Sequence, residues 1–159
     1  MAEQECTLDV GQVELFRGLL QELRAAHEQL LQAMAQMDAV TTGLGDRHQY
    51  IHARFAVSRA SLARRMLWNR IFRTITPLVS QADAARLFEL QSVDVALLHC
   101  SSLHVGRWTT HEVEDYWLEY CQASRAIRSK MAVAIANEQR QLYPLLQRYV
   151  RQAPQRRCA

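Results

Sequence analysis

The longest uninterrupted helical pattern in the chain runs from about Thr110 to Tyr143, and it constrains the fold more than any other feature. Apolar residues recur along it at steps of three and four, which is the spacing of one helix face. Thr109 and Glu112 at its start predict a capping box. Pro144 is predicted to stop or kink the helix, because proline has no backbone donor. A chain organised around such a helix is expected to be helical elsewhere as well.

Three earlier stretches also place apolar residues at helical spacing, although in the second they fall on two sides of the helix rather than in one stripe. Each stretch begins with a residue suited to capping and ends in a short loop. The 159 residues are 49% apolar and include only five Gly and three Pro, which suits one domain with a sizeable core. Four long helices joined by short loops predict an all-α fold, an antiparallel up-down-up-down four-helix bundle. Its predicted helices are 9–39, 46–76, 80–105 and 110–143, followed by a basic flexible tail at 151–159.

The composition also indicates a compartment and excludes several functions. No apolar run approaches the roughly 18 residues of a membrane span, and the polar N-terminus does not read as a signal peptide. The four cysteines show no CxxC spacing, which favours reduced thiols. We therefore expect a cytoplasmic protein with no membrane contact. HExxH, GxSxG, P-loop and GxGxxG motifs are missing from the sequence, and no enzymatic activity is predicted.

Two ionisable residues fall on apolar helix faces. Glu138 stands where the pattern of the last helix calls for a core residue, and His27 does the same in the first. An inward carboxylate needs an arginine, a metal ion or water as its partner, and a structural ion pair is the commoner outcome. An inward histidine is more often hydrogen-bonded core than ligand. Asp94 is a second inward carboxylate, expected to pair with an arginine.

Counting residues outward from the predicted loops gives approximate levels along the bundle. His27 is placed near Arg59, Cys100 and Tyr116, whereas Glu138 is placed at the opposite end, so the two are not expected to share a site. Glu138 would then lie near Val13, Phe72 and Asp83. Histidines gather at the other end and are candidates for a transition-metal site or a pH-sensitive patch, with solvated helix-end residues as the alternative: His48, His52, His104 and His111.

The second predicted helix is the most unusual in charge. All but one of the 19 basic residues are arginine, and the stretch between Asp46 and Asp83 holds seven arginines and no acid. These arginines either pair with acidic neighbouring helices or face an anionic partner such as an acidic protein surface. Nucleic acid is disfavoured, because no recognised binding motif is present and the arginines are spread around the helix. The candidate partner-binding residues are Arg47, Arg54 and Arg65.

Two segments resemble the hemerythrin-like (HHE cation-binding) family. Residues 134–146 (AIANEQRQLYPLL) are similar to the family segment that reads His, three residues, Glu-Glu, two residues, Leu, Tyr or Phe, Pro. Residues 23–31 (LRAAHEQLL) resemble the segment that carries the family's first His. The resemblance implies a four-helix bundle around a non-haem di-iron centre and a non-enzymatic oxygen or redox sensor or binding module.

This sequence departs from the family motif at two positions. Ala134 stands where the motif has His, and Gln139 replaces the second Glu. Only His27 and Glu138 carry over as ligand-like residues. Non-haem iron is therefore the cofactor that the resemblance implies, and none is expected if the metal site is degenerate.

Overall fold

The computed structural model describes residues 9–43 and 46–151, and every regular element within these ranges is helical. The all-α prediction is therefore confirmed. Short 3-10 turns, Arg47–Gln49 and Thr76–Leu78, adjoin the second helix at its two ends. The predicted tail lies outside the described residues beyond Arg151. The α-helices are α1 (Val10–Thr41), α2 (Tyr50–Ile75), α3 (Gln81–Arg107), α4 (Thr110–Asp115) and α5 (Trp117–Arg151).

Three of the four predicted helix starts have the capping geometry expected from their sequences. The Asp9 carboxylate accepts from the Gln12 amide at 2.8 Å, and Gln12 Oε1 accepts from the Asp9 amide at 2.9 Å. Ser80 caps α3, and Thr109 caps α4 with a complete capping box. Asp46 differs from the prediction: its carboxylate accepts from the His48 amide at 2.9 Å and starts the 3-10 turn, so that α2 itself begins at Tyr50.

The last predicted helix differs from the structure at both ends. It is interrupted at Tyr116, where φ is −124° and ψ is 52°, so that α4 is a separate short helix. It also continues through Pro144 to Arg151, and the prediction of a stop there is wrong. The packing of Leu142, Leu145 and Leu146 in the core holds this last stretch helical despite the missing amide donor. The continuous helix is thus shifted toward the C-terminus relative to the predicted one.

Three apolar clusters follow one another along the helices. The first joins the beginnings of α1 and α3 to the ends of α2 and α5, through residues that include Phe16, Trp68, Leu87 and Leu142. The middle cluster joins α1 to α5, and its buried members are Leu30, Met34, Ile127, Met131 and Ile135. The third joins the end of α1 to the start of α2, to α4 and to the start of α5, with Met37, Tyr50, Val113 and Tyr120 among its members.

The pairs of helices differ in how closely they pack. α1 lies against α2 and α5, and α3 lies against α5, but α2 and α3 approach each other along only a short stretch. Phe72 of α2 and Phe88 of α3 meet edge-on, with ring centroids 5.0 Å apart. Farther along the two helices a cavity lies between them. None of the helices in the described ranges combines the length and apolarity that crossing a membrane requires.

Candidate functional site

Four buried polar side chains from four helices form one network in the interior. His27, Arg64, Asp94 and Glu138 come from α1, α2, α3 and α5, and each is at most 6% exposed. His27 Nε2 lies 2.7 Å from Glu138 Oε2, and Arg64 donates from Nη1 to Asp94 Oδ1 at 2.9 Å. Arg64 also donates from Nε and Nη2 to the two oxygens of Glu138. The predicted pairing of both inward carboxylates with an arginine is therefore confirmed.

The second nitrogen of His27 is also occupied. Its Nδ1 lies 2.7 Å from the hydroxyl of Tyr143, and the two rings stack with centroids 5.6 Å apart. Because Arg64 donates to both Glu138 oxygens, Glu138 is an acceptor, and we assign the His27 proton to Nε2. Nδ1 then accepts from Tyr143. Every polar atom of the imidazole has a partner, as expected for a buried histidine.

The placement of His27 and Glu138 at opposite ends of the bundle is wrong, since the two side chains are in contact. The error arose because the last helix was counted from Thr110 to Tyr143. The continuous helix starts at Trp117 and runs to Arg151, which brings Glu138 to the middle of its length. His27 consequently lies beside Glu138 and Tyr143 rather than beside Tyr116, which is half exposed.

Electrostatics of the network favour a charged arginine. Burial opposes the charged form of Arg64, but the nearby carboxylates of Glu138 and Asp94 outweigh this desolvation and raise its pKa above the ordinary value. The guanidinium thus faces two carboxylates in a dry interior. Breaking such a buried pair by removing one partner leaves an uncompensated charge and is strongly destabilising.

The network does not fit the di-iron centre that the hemerythrin resemblance implies. The lone pair of His27 Nδ1 is engaged by the Tyr143 hydroxyl, and Glu138 already accepts hydrogen bonds from Arg64 and from His27 Nε2. The positive guanidinium also opposes a cation at this position. Among residues 9–43 and 46–151 no group of three or more His, Cys, Asp or Glu side chains is arranged to hold a metal ion.

The four histidines predicted at the other end belong to no group of three or more His, Cys, Asp or Glu side chains that could hold a metal ion among the described residues. His48, His52 and His111 are exposed on the helix surfaces, and His111 Nε2 lies 3.4 Å from the Asp115 carboxylate. His104 alone is half-buried, with its ring stacked on Tyr120 at a centroid distance of 5.9 Å. It lines the cavity between α2 and α3.

This cavity has a volume of about 450 Å³. Its walls come from α2 and α3, and α5 provides the floor. Apolar side chains and the hydroxyls of Ser58, Ser61, Ser101 and Ser102 line most of it. Its ionisable lining is basic except for the Tyr120 phenol, and no carboxylate belongs to it: Arg54, Arg65, His104 and Arg128.

The three cavity arginines differ in their partners. Arg128 is 4% exposed and donates to Asp38 Oδ1 from Nε at 3.1 Å and from Nη2 at 2.7 Å, so its charge has a counter-ion. Arg54 donates to the Val105 carbonyl at 3.4 Å and lies over the Tyr120 ring, but has no carboxylate partner within the described residues. The buried Nε of Arg65 has no acceptor in the described structure.

Most of the arginines on α2 are not neutralised by neighbouring helices. Arg64 pairs with Glu138 and Asp94, and Arg70 pairs with Glu22. Within the described ranges, the remaining arginines of α2 form no ion pair: Arg54, Arg59, Arg65 and Arg73. The side chain of Arg47 lies outside the described residues. Internal pairing therefore accounts for only two of the arginines on this helix.

The cavity could have been suspected from the sequence. Arg54, Ser58, Ser61 and Arg65 are spaced to share one face of α2, and small residues recur at Ser101 and Ser102 on the facing helix. Small side chains between two helices leave space, and unpaired basic residues beside that space attract anions. The predicted partner-binding residues included Arg54 and Arg65 of this face, but neither the serines between them nor the cavity.

The surroundings of His104 in the cavity disfavour its protonated form. Burial, together with the positive charges of Arg54 and Arg128, lowers its pKa from 6.5 to about 4. The folded chain therefore keeps His104 neutral at pH values where the unfolded chain binds a proton.

We expect His104 to make stability depend on pH. Between pH 6.5 and about 4 the unfolded state binds more protons at this residue, so the free energy of unfolding falls as pH falls. From pH 7.5 to 5, His104→Gln should lose about 1–2 kcal/mol less stability than the parent in urea unfolding experiments. His111→Gln, at an exposed position, should follow the parent. Equal pH dependence in parent and His104→Gln would contradict a neutral buried His104.

Comparison with protein-family models, curated proteins and solved structures found no match to this chain.

Proposed function

We propose that this chain is an antiparallel four-helix bundle that serves as a non-enzymatic binding module for an organic anion. The order of the apolar clusters supports the bundle, because the first cluster combines the starts of α1 and α3 with the ends of α2 and α5. Consecutive long helices would then run in opposite directions. The binding site in this proposal is the cavity between α2, α3 and α5.

One observation carries the proposal: the charged lining of the cavity is basic throughout, while most of its wall is apolar. A volume of about 450 Å³ lies within the range of small-molecule sites, which combine apolar walls with a few polar groups. Arg54 and Arg65 have no carboxylate partner among the described residues, so a bound anion would supply the missing counter-charge. The ligand class is therefore a molecule with an apolar body and a negative group.

Binding of the fluorescent anion anilinonaphthalene sulfonate, compared with uncharged phenylnaphthylamine, tests this function. We expect the parent to prefer the anion, and Arg54→Glu/Arg65→Glu to weaken anion binding at least tenfold, because the charge-assisted contact that one of these arginines makes with the sulfonate is replaced by repulsion. Arg59→Glu/Arg73→Glu carries the same charge change on α2 outside the cavity. It should alter affinity by less than about threefold, since exposed charges are screened.

Two results would overturn this function. One is the absence of anion binding by a parent protein that is folded by circular dichroism. The other is an equal loss in the cavity variant and in its charge-matched control, because a general surface charge effect would then explain the binding.

A second candidate is a regulatory or adaptor module that binds an acidic helix of a partner protein along the outer face of α2. Four large apolar side chains are exposed on this face and form a stripe along it: Ile51, Phe55, Leu62 and Met66. Arg59 and Arg73 border the stripe without an ion pair to any described residue. Salt-sensitive binding to polyglutamate that is lost in Arg59→Glu/Arg73→Glu, and kept when the cavity is blocked by the sulfonate, would favour this candidate.

We propose that any relationship to hemerythrin-like proteins concerns the helical bundle and does not include the iron centre. The contact between His27 and Glu138 brings together the two residues that the resemblance carried over. Arg64 donates to both oxygens of Glu138 and its positive charge opposes a cation there, so we expect protein purified without a His-tag to contain no stoichiometric iron. A charge-transfer band lost in His27→Ala would contradict this expectation.

A further inference from the structure

We propose that the cavity ligand is a single-headed aliphatic acid, its carboxylate between Arg54, His104 and Arg128 and its tail along α5 toward Leu62 and Met131. This inference rests on the proposed function and gives the ligand a chemical class and an orientation.

The head-group end is defined by two side chains, Arg54 and His104, that lie against the Tyr120 ring. Arg54 lies over this ring at 5.9 Å from its centroid, and His104 stacks on it at 5.9 Å. The hydrogen bond from Arg54 to the Val105 carbonyl keeps the guanidinium beside the last turn of α3. Arg54 and His104, from different helices, are thus held in one small space.

The floor of this end is built of buried polar groups. Tyr120, Ser124 and Arg128 are all less than 5% exposed, and Arg128 donates to the Ser124 hydroxyl. Arg128 is oriented from behind by Asp38 and by Thr41, whose hydroxyl accepts from it at 3.0 Å. Buried arginines held in this way are suited to carboxylate recognition, because little order is lost when the anion binds.

The balance of charge at this end fits one negative group. Asp38 is the counter-ion of Arg128, whereas Arg54 has none within the described residues. Burial, together with the positive charges of Arg54 and Arg128, lowers the pKa of His104, which agrees with an excess of positive charge in this space. A single carboxylate would neutralise the excess, and a second one would lack a partner.

The other part of the cavity is suited to an apolar tail. Val57, Leu62, Leu98, Ile127 and Met131 line it, and they come from α2, α3 and α5. Arg54 and Arg65 lie eleven positions apart on one face of α2, which corresponds to a slot of roughly 16 Å. A mostly apolar cavity whose lining extends along one helix from Arg54 to Arg65 suits a linear chain laid along that helix.

Exposed apolar side chains continue from the mouth of the slot. Leu62 and Met66 on α2 are 52% and 66% exposed, and Val95 on α3 is 58% exposed. The part of the aliphatic tail that leaves the cavity would partly cover these apolar side chains of α2 and α3. Arg65 also lines the cavity, so a head group bound to it instead would represent the reversed orientation.

Titration calorimetry with straight-chain carboxylates from hexanoate to hexadecanoate tests the ligand class. We expect affinity to rise about fourfold with each methylene until the chain outgrows the slot. The primary alcohol of equal length should bind at least tenfold more weakly, because it leaves Arg54 without a counter-charge.

Paired glutamine variants test the orientation. Arg54→Gln should weaken dodecanoate binding at least tenfold, whereas Arg65→Gln should change it by less than about threefold. Arg59→Gln, outside the cavity, is the control for the loss of one charge on α2. The opposite ranking of Arg54→Gln and Arg65→Gln would overturn the proposed orientation.

Proton uptake gives a readout that a purely structural role of Arg54 would not produce. A carboxylate beside His104 should raise the pKa of His104, since an opposite charge favours the protonated ring. The affinity for dodecanoate should therefore increase as pH falls from 8 to 6, with net proton uptake measured in buffers of different ionisation enthalpy. His104→Gln should abolish this uptake, and its persistence would contradict the head-group site.

The two proposals fail in different ways. Binding of the aromatic sulfonate without any dependence on alkyl chain length would overturn the aliphatic acid and leave the anion-binding function standing. A folded parent that binds neither class of anion would overturn both.

Discussion

Replacing Arg64 with methionine is expected to lower the free energy of unfolding by about 3–5 kcal/mol. The substitution keeps most of the side-chain volume but leaves Glu138 and Asp94 in the interior without their cation. Two carboxylates, each at most 6% exposed, must then be protonated or hydrated, and both changes oppose folding. Urea unfolding followed by circular dichroism measures the change.

Arg70→Met is the matched control for this prediction. Arg70 lies on the same helix and pairs with Glu22, but both side chains are 53% exposed, so its loss should cost less than about 1 kcal/mol. Similar effects of the two substitutions would mean that the buried network contributes no more than a surface ion pair. Replacing all four network residues with apolar ones should restore much of the stability, as expected where desolvation offsets the ion pair.

Replacing Pro144 with alanine is expected to raise the free energy of unfolding by about 1–3 kcal/mol. Pro144 is exposed within α5, and it can neither donate a hydrogen bond to the Arg140 carbonyl nor avoid crowding it. Alanine supplies the missing amide and relieves the clash. Part of the gain is offset, because proline also restricts the unfolded chain.

Val133→Ala is the control for helix propensity on the same helix. Val133 is 61% exposed, so alanine there should raise stability by less than about 0.7 kcal/mol. A loss of stability in Pro144→Ala would show that a bend at the proline is needed to place Tyr143 against His27. Thermal and urea unfolding of the two variants distinguish these cases.

Local signals in the sequence predicted where the helices lie along the chain. They did not predict how the helices are positioned relative to one another in the fold. Asp9, Ser80 and Thr109 cap their helices as expected, because capping depends on residues only three positions apart. The break at Tyr116 has no proline or glycine to mark it and depends on how α4 packs through Val113. The helix continues past Pro144 because core contacts of Leu145, Leu146 and Tyr149 outweigh a local penalty.

The buried network was only partly predictable for the same reason. The apolar spacing showed that His27, Asp94 and Glu138 face inward, and composition made an arginine the natural partner. Which arginine it would be depends on the axial level of each helix, and the shift of α5 moved Glu138 to the level of His27. The cavity depends on a separation between α2 and α3 that one sequence does not reveal.

The ion pairs that cross the interior also have a consequence for how the helices align. A slide of one helix by a single turn moves its side chains about 5.4 Å, well beyond the reach of an N–H···O contact. Leucine and isoleucine surfaces tolerate such a slide, because their attraction has no direction. Arg64 does not tolerate it, because its two acids come from α3 and α5. A bundle with one helix shifted would bury the charge of Arg64 without one of its carboxylate partners. The network therefore favours a single axial alignment of the helices.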